Sequence, residues 1–164
     1  MSALDAFRST HGEPTWDDII TGHDFGFLDA AEIQAWVPGE GSAATRLRAL
    51  DGEGLRTFEA HLWAACAEAV GKTPRPGSAR WSEAQDRWRE ALLREALALE
   101  STAVQLAIKV ECLYEQVGCP DDMLGMLRPS QPWSGTPATV DPQAVQQFLN
   151  RTRRNSSHRS GSNL

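Results

Sequence analysis

Along almost the whole of this chain, apolar residues recur at intervals of three and four, and no stretch alternates convincingly with period two. That pattern disfavours sheet architectures: a half-buried strand needs every second side chain on one face, whereas a helix buries a stripe. Valine, isoleucine and threonine are scattered among alanine, leucine, glutamate and arginine instead of gathering into β-rich runs. The expected fold class is all-α. Residues 1–150 read as one single-domain multi-helix bundle, and residues 151–164, rich in serine and arginine, as a short disordered tail.

Start and stop signals divide the bundle. Thr15 caps a short helix carrying Trp16, Ile19 and Ile20, with Asp17 and Asp18 in its first turn, where the helix dipole favours acids. Asp29 and Glu32 form a capping box for the next helix, with Ile33, Trp36 and Val37 on its apolar side. The clearest amphipathic segment covers residues 53–70, where Leu55, Phe58, Leu62, Trp63 and Cys66 share a face and Gly71 stops the helix. Ser82 with Gln85 caps a long helix to Glu100 that turns Trp81, Trp88 and Leu92 inward. Thr102 with Gln105 opens another, apolar around much of its circumference and so expected at the centre of the bundle. Residues 129–137, with Trp133, read as an irregular excursion, and Asp141-Pro142 starts a last helix to Asn150.

Charge narrows the partners. The formal net charge is −6, but the last fourteen residues hold four arginines and no acid. Residues 1–41 hold eight acids against Arg8 alone, a net of −7. A surface of that sign repels nucleic acid and steers a basic partner, although acids also serve plain solubility. No run approaches the ~20 apolar residues of a membrane span. The opening MSALDAFRSTHGEP lacks the apolar region of a secretory signal, so a soluble, cytoplasmic protein is expected.

The templates for chemistry go unmatched. There is no phosphate-binding glycine loop, no HExxH and no nucleophile elbow, and the four histidines fall in separate segments. Cys66, Cys112 and Cys119 lack CxxC spacing; the first two fall on predicted apolar faces, where a free thiol acts as a small hydrophobe. The pairs Asp17-Asp18 and Asp121-Asp122 sit at predicted helix starts, which the dipole explains without general acid/base work. No metal site and no cofactor is expected, and the chain reads as a binder instead of an enzyme. Trp16 and Trp36 flank the acidic cluster, which makes them interface candidates.

Two stretches resemble a bacterial family described as domain of unknown function 2247. The first is Trp16-Asp17-Asp18-Ile19-Ile20 followed by Gly22, Gly26-Phe27-Leu28 and Glu32-Ile33. The second is Leu113-Tyr114-Glu115-Gln116-Val117-Gly118-Cys119-Pro120-Asp121-Asp122-Met123, a helix ending in tyrosine, then a turn, then proline-acid-acid-methionine. The likeness spans about residues 15–130. Gly118-Cys119 stands where the family pattern has an aromatic before the proline, and Met126-Leu127-Arg128-Pro129 replaces its aromatic-methionine-proline end. The resemblance implies a small soluble bacterial protein, in some members similar to immunity proteins encoded beside polymorphic or contact-dependent toxins. It carries no catalytic residues.

These readings converge on an immunity protein that occludes a basic cognate toxin domain. The expected contacts are Asp17, Asp18, His23, Asp24, Asp29 and Glu32, with Trp16 or Trp36 as anchor. A helical adaptor or scaffold of a larger assembly is the alternative, and an enzyme of an unrecognised kind the third.

Overall fold

A computed structural model describes residues 2–39, 41–52, 54–100, 102–128 and 138–159, with side chains to Thr152. The excursion at residues 129–137, with Trp133, lies outside the described residues, as does Glu40. The class is all-α. The helices are α1 (Ala3–His11), α2 (Trp16–Asp24), α3 (Ala30–Trp36), α4 (Ser42–Ala49), α5 (Leu55–Val70), α6 (Ala79–Leu99), α7 (Ala103–Gln116) and α8 (Pro142–Arg159). A 3-10 helix, Asp121–Met126, follows α7 and leads into a two-residue antiparallel ladder of β1 (Leu127–Arg128) with β2 (Thr139–Val140). None of the described helices is long and apolar enough to cross a membrane.

The helix starts follow local chemistry. Ser2 with Asp5, Thr15 with Asp18 and Asp29 with Glu32 each form a reciprocal capping box, and Thr102 accepts from the Gln105 amide. At Asp141-Pro142 the aspartate accepts from the Gln143 amide, and the proline's missing N–H costs nothing at the first helical position. The long helix starts earlier than Ser82. Gly77 adopts φ 80°, and the Ser78 hydroxyl accepts from the Trp81 amide, so α6 begins at Ala79.

The chain divides by contacts into two compact units, residues 1–88 and 89–164, with the boundary within α6. In the first unit, Phe7, Ile19, Ile20, Ile33, Leu47, Leu62 and Trp88 are fully buried. The Trp88 ring lies 4.5 Å from that of Phe7 and 5.5 Å from that of Phe27, and its Nε1 donates to the Asp18 carbonyl at 2.7 Å. Gly22 of α2 makes room for it: a Cβ there would sit 2.6 Å from the indole Cζ2. Helix α4 is short and tied at both ends by side chains from elsewhere. Glu68 accepts from the Ala43 amide at 2.8 Å, and Gln34 donates to the carbonyls of Leu47 and Leu50.

The second unit buries Leu93, Val110, Met123, Met126, Val145 and Leu149. Arg89, itself buried, donates to Asp122 at 2.7 Å and lies over the Phe148 ring. Helix α7 is not enclosed as its composition suggested. Leu106, Val110, Leu113 and Val117 point inward, while Val104 and Ile108, about 160° round the helix at 100° per residue, are 40% and 55% exposed. Cys112, expected to be buried, is exposed as well. Helix α8 runs to Arg159, past the expected end at Asn150. Arginine is a good helix former, no glycine or proline intervenes before Gly161, and cations suit a helix C-terminus.

The Gly22–Trp88 contact yields a stability prediction. Gly22→Ala forces the indole or α2 to shift and should cost about 1–3 kcal/mol, the range for overpacked cores. Urea unfolding of wild type and variant, compared at equal m-value, measures it; a loss below about 0.5 kcal/mol would mean that the contact relaxes freely.

Candidate functional site

Helix α2 carries five of the eight predicted contact residues, and the fold assigns them different tasks. Trp16, its first residue, is nearly buried, and its ring meets that of Trp36 edge-on at 5.0 Å and 81°. The two tryptophans expected as alternative anchors therefore pack on each other, with only Trp36 half-exposed. Asp17 takes a two-pronged bond from Arg80 of α6: Nε donates to Oδ2 at 2.7 Å and Nη2 to Oδ1 at 2.5 Å. That fork matches carboxylate geometry and pins α2 to α6.

Asp18 is fully buried, so it presents no carboxylate to a partner's surface. Its Oδ2 accepts from the Thr15 amide and hydroxyl, both at 2.7 Å, and from Arg87 Nη1 at 2.8 Å. Its Oδ1 has no hydrogen-bond partner among the described residues. Burial pushes the carboxyl above its ordinary value, against the opposing pull of Thr15 and Arg87. Asp29 and Glu32 are occupied in a similar way, each accepting the other's backbone N–H at 2.8 and 3.1 Å to close the start of α3.

The end of α2 differs. His23 is nearly buried, edge-on to Phe58 at 5.6 Å, with its Nε2 3.5 Å from Glu59 Oε1 of α5. Asp24, the last residue of α2, is exposed, and its side chain makes no hydrogen bond or ion pair with any described residue. An acid there meets the negative end of the helix dipole, an unfavourable placement. On α5, Leu55 is one turn before Glu59 and is also exposed. His23 thus meets Glu59 of α5 and Asp24 follows it in the chain as an exposed acid, whereas Asp17 and Asp18 belong to an ion-paired seam.

That seam borders a cleft of about 220 Å³ with Trp16, Val70 and Ala84 as apolar walls and Asp17, Arg80, Glu83 and Arg87 as polar ones. The residues of α6 in it escaped the sequence reading, although Arg80, Glu83 and Arg87 sit at three- and four-residue spacing on one helical face. A second hollow, about 510 Å³, lies along the loop before α6 and carries Lys72 and Arg75. No group of three or more histidine, cysteine, aspartate or glutamate side chains comes together as a metal would require among the described residues. The buried Cys66 thiol is pushed up to about 11, chiefly by burial.

Charge follows the same division. Residues 1–88 hold fourteen acids and eight lysines and arginines, a net of −6, whereas residues 89–164 hold eight of each. The acidity of the chain is therefore a property of its first unit.

Asp18 supplies a pH prediction. Its carboxyl is raised in the folded state, so the associated stability is full below the unfolded value near 3.8 and is lost as pH rises through the folded value. Relative to wild type, Asp18→Asn should therefore gain stability as pH rises from about 3 to about 6. Urea unfolding at stepped pH reads this directly; a difference that is flat or opposite in slope would show that Thr15 and Arg87 outweigh burial. No family model matches this chain, and neither a curated protein nor a solved structure shows significant similarity to it.

Proposed function

We propose that this chain is an immunity-type protein that binds a basic toxin domain and occludes it, using the end of α2 and the adjacent face of α5. The observation that carries the reading is Asp24. It is exposed, takes no part in the internal hydrogen bonding of the described residues, and stands where the helix dipole opposes an acid. A residue that breaks a local rule without an intramolecular gain is what a binding surface leaves behind. Glu59 and the exposed Leu55 supply a neighbouring charge and an apolar contact, and the −6 of residues 1–88 supplies long-range attraction for a cationic partner. Occlusion needs no catalytic group in the inhibitor, only complementarity to the toxin's cleft.

The adaptor reading has one observation in its favour, the exposed apolar ridge of Val104 and Ile108 on α7.

The test uses the product of any toxin-like gene encoded beside this one, co-expressed in a sensitive host and titrated in vitro. Asp24→Lys should stabilise the fold slightly, by about 0.3–1 kcal/mol, because a cation suits the helix end. It should also weaken toxin binding about tenfold or more, with Glu59→Gln adding to the loss and both effects shrinking at high salt. Unchanged protection in Asp24→Lys, together with loss of toxin binding in Ile108→Glu, would move the interface to α7, whereas a wild-type chain that neither binds nor protects against such a toxin would favour the adaptor.

A further inference from the structure

The cleft beside the start of α2 has a chemistry of its own. Five ionisable side chains border it, and four are already matched: Asp17 with Arg80, and Asp18 with Arg87. What is left over is one-sided. Glu83 is exposed and unpaired among the described residues. Asp18, its side chain 1% exposed, keeps one carboxylate oxygen without a donor. The cleft is thus lined by three carboxylates against two guanidiniums, each guanidinium already held by a carboxylate, and this surplus favours a cationic occupant at Glu83 over an anion.

Size and walls narrow the occupant further. At about 220 Å³ the cleft is smaller than the ~300 Å³ where sites for small molecules usually begin, and suits a single side chain. Trp16, Val70 and Ala84 offer an apolar bed for an aliphatic stem, with the charged groups beside it. A guanidinium presents several N–H groups in a fixed plane and can engage more than one acceptor, which an ammonium does less well. We propose that this cleft is an anchor pocket for an arginine side chain of a protein partner, with its stem against Trp16 and Val70 and its head paired to Glu83 in the field of the half-satisfied Asp18. The proposal rests on the partner-binding reading above and adds to it a specific point of contact away from Asp24.

N-acetyl-arginine amide is the probe, titrated into the full chain and followed by amide and indole NMR shifts. Saturable shifts should centre on the Trp16 indole and on the amides of residues 80–87, with a dissociation constant on the order of a millimolar, the range open to so small a ligand. The neutral isostere N-acetyl-citrulline amide should bind at least about tenfold more weakly, and so should the arginine probe on the Glu83→Gln variant, whose exposed position spares the fold. Val70→Phe, which puts a bulkier side chain into the wall of the cleft, should remove the shifts. Equal binding of citrulline, shifts centred elsewhere, or no effect of Glu83→Gln would overturn the pocket. Tight toxin binding that is indifferent to Glu83→Gln would sink it while leaving the proposed function standing, whereas arginine binding in a chain that protects against no toxin would do the reverse.

Discussion

Trp88 holds the first unit together. Its indole is the largest fully buried side chain, in contact with Phe7 of α1 and Phe27 of the α2–α3 connection. Its N–H closes on the Asp18 carbonyl, so the polar edge of the ring costs nothing to bury. Truncating such a residue to alanine removes about 3–5 kcal/mol in a typical core, a large share of what a domain of this size has to spare. The packing also imposes a condition on α2. A Cβ at position 22 would press on the indole, so a glycine near the end of α2, normally unfavourable in a helix by roughly 0.5–1 kcal/mol, is favoured by the tryptophan across from it.

Around that contact the chain spends its acids on helix starts and helix pairs. Asp5, Asp18 and Glu32 close capping boxes, and Asp17 and Asp18 receive Arg80 and Arg87 from α6. Cations and acids are thus used together to register α2 against α6, with Trp88 on the same helix. The electrostatic surplus is what structure does not consume. The total charge overstates this surplus as a binding surface, because Glu13, Asp17 and Asp18 are held by arginines and Asp29 and Glu32 are committed to a helix start.

Local chemistry is legible in the sequence, and tertiary chemistry is not. Thr15, Asp29, Thr102 and Asp141 announce helix starts through their partners two or three residues on, an interaction with no long-range component. The same acids give no clue that Arg80 and Arg87 meet them, because those bonds span 63 and 69 residues. Two serines compete for the start of α6. Gln85 favours Ser82 as a capping box, but the positive φ at Gly77 sets the chain so that Ser78 caps first. The circumference of α7 is apolar on two sides, and periodicity alone does not say which of them finds neighbours. The boundary between the two units falls inside the long helix α6, where no turn or composition signal marks it.

Helix polarity finally sorts the predicted binding residues into two kinds. Acids at the positive ends of α2 and α3 lower the energy of the fold, so their presence needs no partner to explain it. Asp24 at the negative end of α2 raises that energy, and no described side chain compensates it. Glu83 on α6 is likewise unneeded by the fold, one turn from each of the arginines that are needed. Acids that stabilise folding cannot by themselves argue for an interface, whereas an acid that opposes folding, or one left over beside satisfied pairs, must be accounted for in another way. On that criterion the candidate contacts shift from the helix caps to Asp24 and Glu83, and the chain's binding chemistry lies in what its own helices leave unused.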